Sequence, residues 1–306
     1  MKGVLLMAYG SPESLDDVEE YFTHIRGGRK PPPEAVEELK ERYRRIGGRS
    51  PLNEITRAQA RALERMLNAN AGADGGYRVY VGMKHGHPFL HEAVPRMAQD
   101  GVERAVGVAL APHYSRLSVG AYIEAAREAL KAQPIDVRFV ESWHLRPSFL
   151  DAWVARVRDA LERFGPEERD EVVAVFTAHS LPERIRQWDD PYPKQLRETA
   201  EAVAGRVGLP DSRWKLAYQS ASPTGEPWLG PDILDVLDEL AAQGVRNVLV
   251  CPIGFVADHL EVLYDLDVEC RGRAEGLGLH LERTESLNDD PLLIRALAEI
   301  VREHLP

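Results

Sequence analysis

Eight short apolar runs divide into two sets of four that match each other in sequence, and this repetition confines the chain to a duplicated α/β architecture. The first set is Val4–Ala8, Arg78–Gly82, Ala105–Ala111 and Val137–Val140. The second is Val172–Ala178, Lys215–Tyr218, Val248–Phe255 and Leu279–Arg283. Amphipathic stretches lie between them, such as Glu92–Gln99, Ala121–Leu130, Gln195–Val207 and Ile233–Ala242. Alternation of this kind builds parallel sheets covered by helices on both faces. Ala8-Tyr9-Gly10-Ser11-Pro12-Glu13 lies over Ala178-His179-Ser180-Leu181-Pro182-Glu183 at a shift of 170 positions. Further along, His87-Pro88-Phe89-Leu90 lies over Glu226-Pro227-Trp228-Leu229, Gly101-Val102 over Gly244-Val245, and Glu141-Ser142 over Glu285-Ser286. The common order of these matches predicts two doubly wound, Rossmann-like halves, each a four-stranded parallel sheet flanked by helices. The expected boundaries are 1–145 and 146–306, with the C-terminal helix packing back on the first half.

The shift falls to about 140 after the first strand, so the first half carries about thirty extra residues within 16–67. An insertion after the carboxyl end of a strand lies where an open sheet keeps its binding crevice. This one holds Arg26, Arg29, Lys30, Arg42, Arg44, Arg45 and Arg49 in a chain whose formal net charge is −11. Arg forks suit carboxylates, although Glu34, Glu37, Glu38 and Glu41 would equally balance an ordinary charged helix surface.

A second pattern follows the third strand of the second half. Glu261, Asp265 and Glu269 recur every four residues, a spacing that stacks carboxylates on one helix face. Like charges so placed repel unless cations neutralise them, and Arg271 and Arg273 arrive only at the far end. Two readings stand: a solvated acidic face, or a row that meets a divalent cation.

Composition narrows the function classes. The acidic balance argues against general nucleic-acid binding, and no run has the length of a membrane span. The N-terminal MKGVLLMAYGSPES reads as a first strand, not a signal peptide. Cys251 and Cys270 are the only cysteines, too few for a protein-only four-cysteine iron–sulfur cluster or a disulfide framework, and a reducing cytoplasmic setting is the default. GxGxxG after a strand, GxxxxGK[ST] and GxSxG are all missing, so no organic cofactor is expected.

The duplication assigns places in space. Tyr9 and His179 stand at the ends of equivalent first strands, Glu261 follows the third strand of the second half, and Ser118 stands opposite it. Crevices at strand ends are where α/β proteins place their chemistry. Tyr9, His179 and Glu261 are therefore expected to converge, with an imidazole beside a carboxylate able to accept a proton or bind a divalent metal. A hydrogen-bonded loop histidine is the ordinary alternative for His179 alone. His85, His87, His113 and Tyr114 are weaker candidates.

At these residues the chain resembles the ferrochelatases, which insert ferrous iron into porphyrins. The matching segments are LLMAYGSP (5–12), YFTHIRGGR (21–29), GGRSPL (47–52), AHSLP (178–182), PWLGP (227–231) and GFVADHLEVLYD (254–265). The resemblance is strongest to the soluble Gram-positive branch regarded as coproporphyrin ferrochelatases. It implies a chelatase fold, Fe2+ as substrate metal, a porphyrin partner and release of two protons. It makes His179 and Glu261 the inner metal and proton-handling pair, Tyr9 an iron ligand on the opposite porphyrin face, and Asp265 and Glu269 outer steps of a metal path that hold a divalent cation. Ile25, Arg26, Arg42, Ser50, Tyr122 and Trp228 would line the porphyrin cleft or hold propionates. Gly27 stands where close relatives often carry a second Arg, which alters the expected propionate contacts. The chain ends at Pro306 without the cysteine-bearing extension of cluster-containing members. A monomer with transient contacts to an iron donor or a downstream haem-pathway enzyme is the further expectation. A sirohydrochlorin chelatase for cobalt or nickel, and a porphyrin carrier without catalysis, are the competing readings.

Overall fold

The computed structural model describes residues 1–69, 76–222 and 224–305. Two sheets form, each with four strands and every pairing parallel. The first contains β1 (Lys2–Ala8), β2 (Tyr77–Met83), β3 (Arg104–Ala109) and β4 (Asp136–Val140) in the order β2-β1-β3-β4. The second contains β5 (Val173–His179), β6 (Trp214–Gln219), β7 (Asn247–Cys251) and β8 (His280–Arg283) in the order β6-β5-β7-β8. The same order appears twice, and the registers agree: Ala8 lies beside Met83, and Ala178 beside Tyr218. β1 and β5 are central in their sheets and buried on both faces, which is why they read as unbroken apolar runs. The edge strand β2 is less covered, with Arg78 exposed and Tyr77, Val79 and Val81 half-buried.

Three helices, Val18–Ile25, Pro33–Arg45 and Leu52–Asn68, separate β1 from β2. The equivalent connection in the second half has only the 3₁₀ turn Glu183–Trp188, the helix Tyr192–Val207 and a second 3₁₀ turn, Asp211–Arg213. The main core crosses from one half to the other. Leu6 and Val106 of the first sheet and Phe176 and Leu249 of the second share it with Phe149, Trp153, Ile294 and Leu297. Parting the halves would expose such side chains, each worth roughly 1.5–3 kcal/mol when buried. The C-terminal helix Pro291–His304 packs among them. Around its ends Tyr77 Oη donates to the Leu305 carbonyl at 2.9 Å, and Gln59 Nε2 to that of Asn288 at 2.6 Å.

One strand is shorter than its apolar run. The run Val248–Phe255 predicts pairing throughout, but β7 stops at Cys251 because Pro252 has no N–H for the ladder. Gly254 then passes against β5, its N–H donating to the Thr177 carbonyl at 3.0 Å. A Cβ there would sit 2.4 Å from Ala178 Cβ and 2.7 Å from its Cα. Gly254→Ala should therefore destabilise the protein by about 1–3 kcal/mol. Urea unfolding would show it as a lower midpoint at an unchanged slope, and an unchanged midpoint would contradict the close approach.

Candidate active site

Tyr9 is the first residue past β1 and His179 the last of β5, so both stand at carboxyl ends of central strands. Backbone contacts around His179 are well supplied. Tyr192 Oη donates to its carbonyl at 2.9 Å, Ser180 N donates to the Gln219 carbonyl at 2.7 Å, and Ser180 Oγ to that of Leu229 at 2.7 Å. The ring's Nδ1 meets the Ser180 carbonyl. A carbonyl only accepts, so Nδ1 carries the hydrogen and Nε2 is left facing the crevice. There it lies 3.3 Å from Glu261 Oε1, while His259 Nε2 lies 3.4 Å from Glu261 Oε2. Gln219 steadies the acid from behind, with Nε2 donating to the Glu261 carbonyl at 3.1 Å and Oε1 accepting from Thr177 Oγ1 at 2.9 Å.

Burial alone would lower the His179 pKa, but the charge of Glu261, the hydrogen bond to it and the Ser180 carbonyl raise it to about 9. Burial likewise pushes Glu261 up, yet the facing imidazoles of His179 and His259 hold it well below the carboxylate range. These shifts favour an imidazolium–carboxylate pair in the crevice at neutral pH. Its side chains keep 30% and 36% of their surface, so a ligand can reach them. The Glu261 charge extends further. Tyr9, Tyr21, Tyr43, Tyr122 and Tyr192 all have phenol pKa values raised, by burial foremost and also by this carboxylate. Tyrosines of both halves therefore surround the acid, and Tyr9, 40% exposed, is the one most open to a ligand.

The acidic row differs from its sequence reading in two ways. Glu261–Cys270 is a π-helix, wider than the α-helix that the four-residue spacing suggests, a form that recurs at functional sites. The missing counter-cation comes from the insertion: Arg42 lies 3.7 Å from Asp265 and 3.6 Å from Glu38, with its guanidinium over the Tyr264 ring at 5.0 Å. Ser220 donates to the other Asp265 oxygen. Burial raises Asp265 to about 6, with the charges of Glu261 and Glu269 adding to the rise and Ser220 and Arg42 opposing it. Glu269 is exposed. Among the described residues no three His, Cys, Asp or Glu side chains gather into a metal-binding cluster. The His179–Glu261 pair offers two donors, which suits an ion in transit better than a resident one.

The remaining predicted positions lie on several different elements. Arg26 is exposed at the end of the first insertion helix, 5.8 Å over the Phe22 ring, and Ile25 beside it is half-buried. Ser50 is buried, accepting from Leu52 N at 3.3 Å. Tyr122 is buried at the start of Val119–Leu130. Trp228 lies 6.3 Å from the His179 ring and donates to Thr224 Oγ1 at 2.8 Å. Arg42, expected to line the porphyrin cleft or hold propionates, also faces the acidic row.

The family model for ferrochelatase matches residues 1–305. The chain belongs to the ferrochelatase family. It is 46% identical to a ferrochelatase from Herpetosiphon aurantiacus, over 97% of each chain. It is also 46% identical to the coproporphyrin III ferrochelatase of Geobacillus kaustophilus, over 98% of this chain and 94% of the relative. Among solved structures it is similar to SirB from Bacillus subtilis with Fe3+, with a TM-score of 0.59 at 12% identity, over 99% of this chain and 94% of that one. That likeness is one of fold. Among the described residues no helix is long and apolar enough to cross a membrane.

Three residues of this ferrochelatase crevice, His259, Gln219 and His24, escape sequence reasoning, and His24 meets the weaker candidate His85. His259 sits two residues before Glu261, a spacing that reads as a loop until the turn brings its Nε2 back on the acid. Gln219 ends β6 and carries no signal by itself. His24 and His85 pair Nδ1 to Nδ1 at 2.8 Å, and the His85 ring packs 4.7 Å from that of Tyr9. Burial, Lys84 and His24 push His85 down to about 3, so it is neutral and its partner supplies or accepts one hydrogen.

Proposed function

We propose that the protein inserts Fe2+ into coproporphyrin III, releasing two protons and giving coproheme for haem biosynthesis. The observation that carries this reading is the His179–Glu261 pair facing Tyr9 across the seam between the halves. Iron sheds water as it passes Glu269 and Asp265 to Glu261, each carboxylate replacing part of its hydration. Asp265, held by Ser220 and Arg42, exchanges its guanidinium partner for the metal. A dication at Glu261 opposes the positive charge on His179 and expels its Nε2 proton. The neutral imidazole then accepts one pyrrole proton at the same atom and passes it to solvent, which takes the second proton in the same way. Tyr9 approaches the ring from the other face as a ligand for iron. Ile25, Ser50, Tyr122 and Trp228 hold the macrocycle, and Arg26 and Arg42 attract its propionates. Binding at the rim supplies the strain that bends the ring toward the metal.

A monomer working in the cytoplasm, with transient contacts to an iron donor and a haem-pathway acceptor, belongs to the same reading. Anaerobic metalation with coproporphyrin III and protoporphyrin IX in parallel tests it. The free-base spectrum should give way to the metalloporphyrin spectrum faster with coproporphyrin, which has four propionates against two. Binding without any spectral conversion would instead identify a carrier.

A further inference from the structure

Lys84 follows the last residue of β2, and its N–H extends the ladder by donating to the Ala8 carbonyl at 2.9 Å. Because Ala8 pairs with Met83, Lys84 stands beside Tyr9. In the second half His179 pairs with Gln219, so Lys84 is the counterpart of the residue that reaches Glu261. Its Nζ lies 5.9 Å over the ring of Tyr122, a buried phenol near enough to feel the charge of Glu261. The ammonium therefore belongs to the crevice. Burial lowers its pKa, and Glu124 is the carboxylate whose charge opposes that shift. Among the described residues the two form no ion pair. A half-buried cation without a salt-bridge partner, in a chain of net charge −11, is a place prepared for an anion.

We infer that Lys84 binds a carboxylate of the porphyrin on the first-half side of the crevice. This rests on the porphyrin reading of the site and adds to it a specificity element. Arg26 marks the insertion side, whereas Lys84 lies past β2 beside Tyr122. Cations at both places engage carboxylates on different edges of one macrocycle. A ring with a propionate on every pyrrole satisfies them together; a ring with two adjacent propionates leaves one unmatched.

The test is equilibrium porphyrin binding by fluorescence titration, with no metal present. Lys84→Met keeps the apolar stem and removes the charge. It should weaken coproporphyrin III on the order of tenfold or more, leave coproporphyrin III tetramethyl ester nearly unaffected, and recover most of the loss in Lys84→Arg. Equal loss for the acid and the ester would mean that Lys84 shapes the crevice without binding a carboxylate, and unchanged affinity for the acid would overturn the proposal outright. If Lys84→Met does not fold, Lys84→Gln, which keeps a polar end and removes the charge, answers instead. It should narrow the preference of the unaltered protein for the acid over the ester, and an unchanged preference would overturn the assignment. Because no turnover is read, a protein that binds with this pattern yet inserts no iron would fail the proposed function while keeping Lys84 as an anion site.

Discussion

Anaerobic metalation of coproporphyrin III by His179→Ala should fall by about 10²–10⁴-fold, the range lost when a positioned proton acceptor is removed. Porphyrin binding should persist. His179 Nδ1 is occupied by the Ser180 carbonyl, so the ring atom able to exchange a proton with the crevice is Nε2, 3.3 Å from Glu261 Oε1. His259 touches the other oxygen of Glu261, and so does not replace the lost acceptor at that point. The substitution is also mild for the fold, since the side chain is 30% exposed at the end of β5. Stopped-flow absorbance reports the metalation, and fluorescence titration reports binding without metal. Turnover near the original rate would remove His179 from the chemistry. Loss of binding alongside turnover would make it a residue that holds the ring.

The fold was readable because its strongest signal is repetition. Eight apolar runs in matching order predict two like sheets, and the edge of each run is set by local chemistry such as Pro252, which cuts β7 short. Strand ends then locate Tyr9, His179 and the start of the acidic row without any contact being known. Long-range neighbours were not readable. The four-residue spacing of Glu261, Asp265 and Glu269 fits several helical windings, so the π-helix became visible only in three dimensions. Arg42 lies far from Asp265 in sequence, and the repeat offers no counterpart to the insertion that brings it there. His259, Gln219 and Lys84 illustrate the same limit. Each matters through what faces it, and periodicity reports only which side of an element a residue occupies.

Glu261→Gln should reverse the protonation of His179 at neutral pH. Burial is the largest single influence and lowers that pKa, while Glu261, and after it the Ser180 carbonyl and Asp265, raise it to about 9; with the Glu261 charge gone, burial should outweigh what remains and the imidazole should titrate below 6.5. Proton-detected NMR of the imidazole in metal-free protein would read the change directly. Stability should follow the same linkage. For the raised His179, the contribution is fully present below 6.5 and is lost as pH rises through about 9. For the depressed Glu261, it is present above 4.5 and is lost as pH falls through the lowered pKa. The pair therefore stabilises most between 4.5 and 6.5, where melting temperatures of the two proteins should differ most, converging as pH climbs past about 9. In the variant, a neutral-favouring His179 makes stability fall on acidification through 6.5, the opposite slope to its contribution in the unaltered protein. Metalation should drop by at least about 10²-fold, because the neutral amide no longer attracts iron to the crevice. An imidazole that still titrates near 9 in Glu261→Gln would place the source of its charge elsewhere, with Asp265, whose charge also raises it, the next carboxylate to replace.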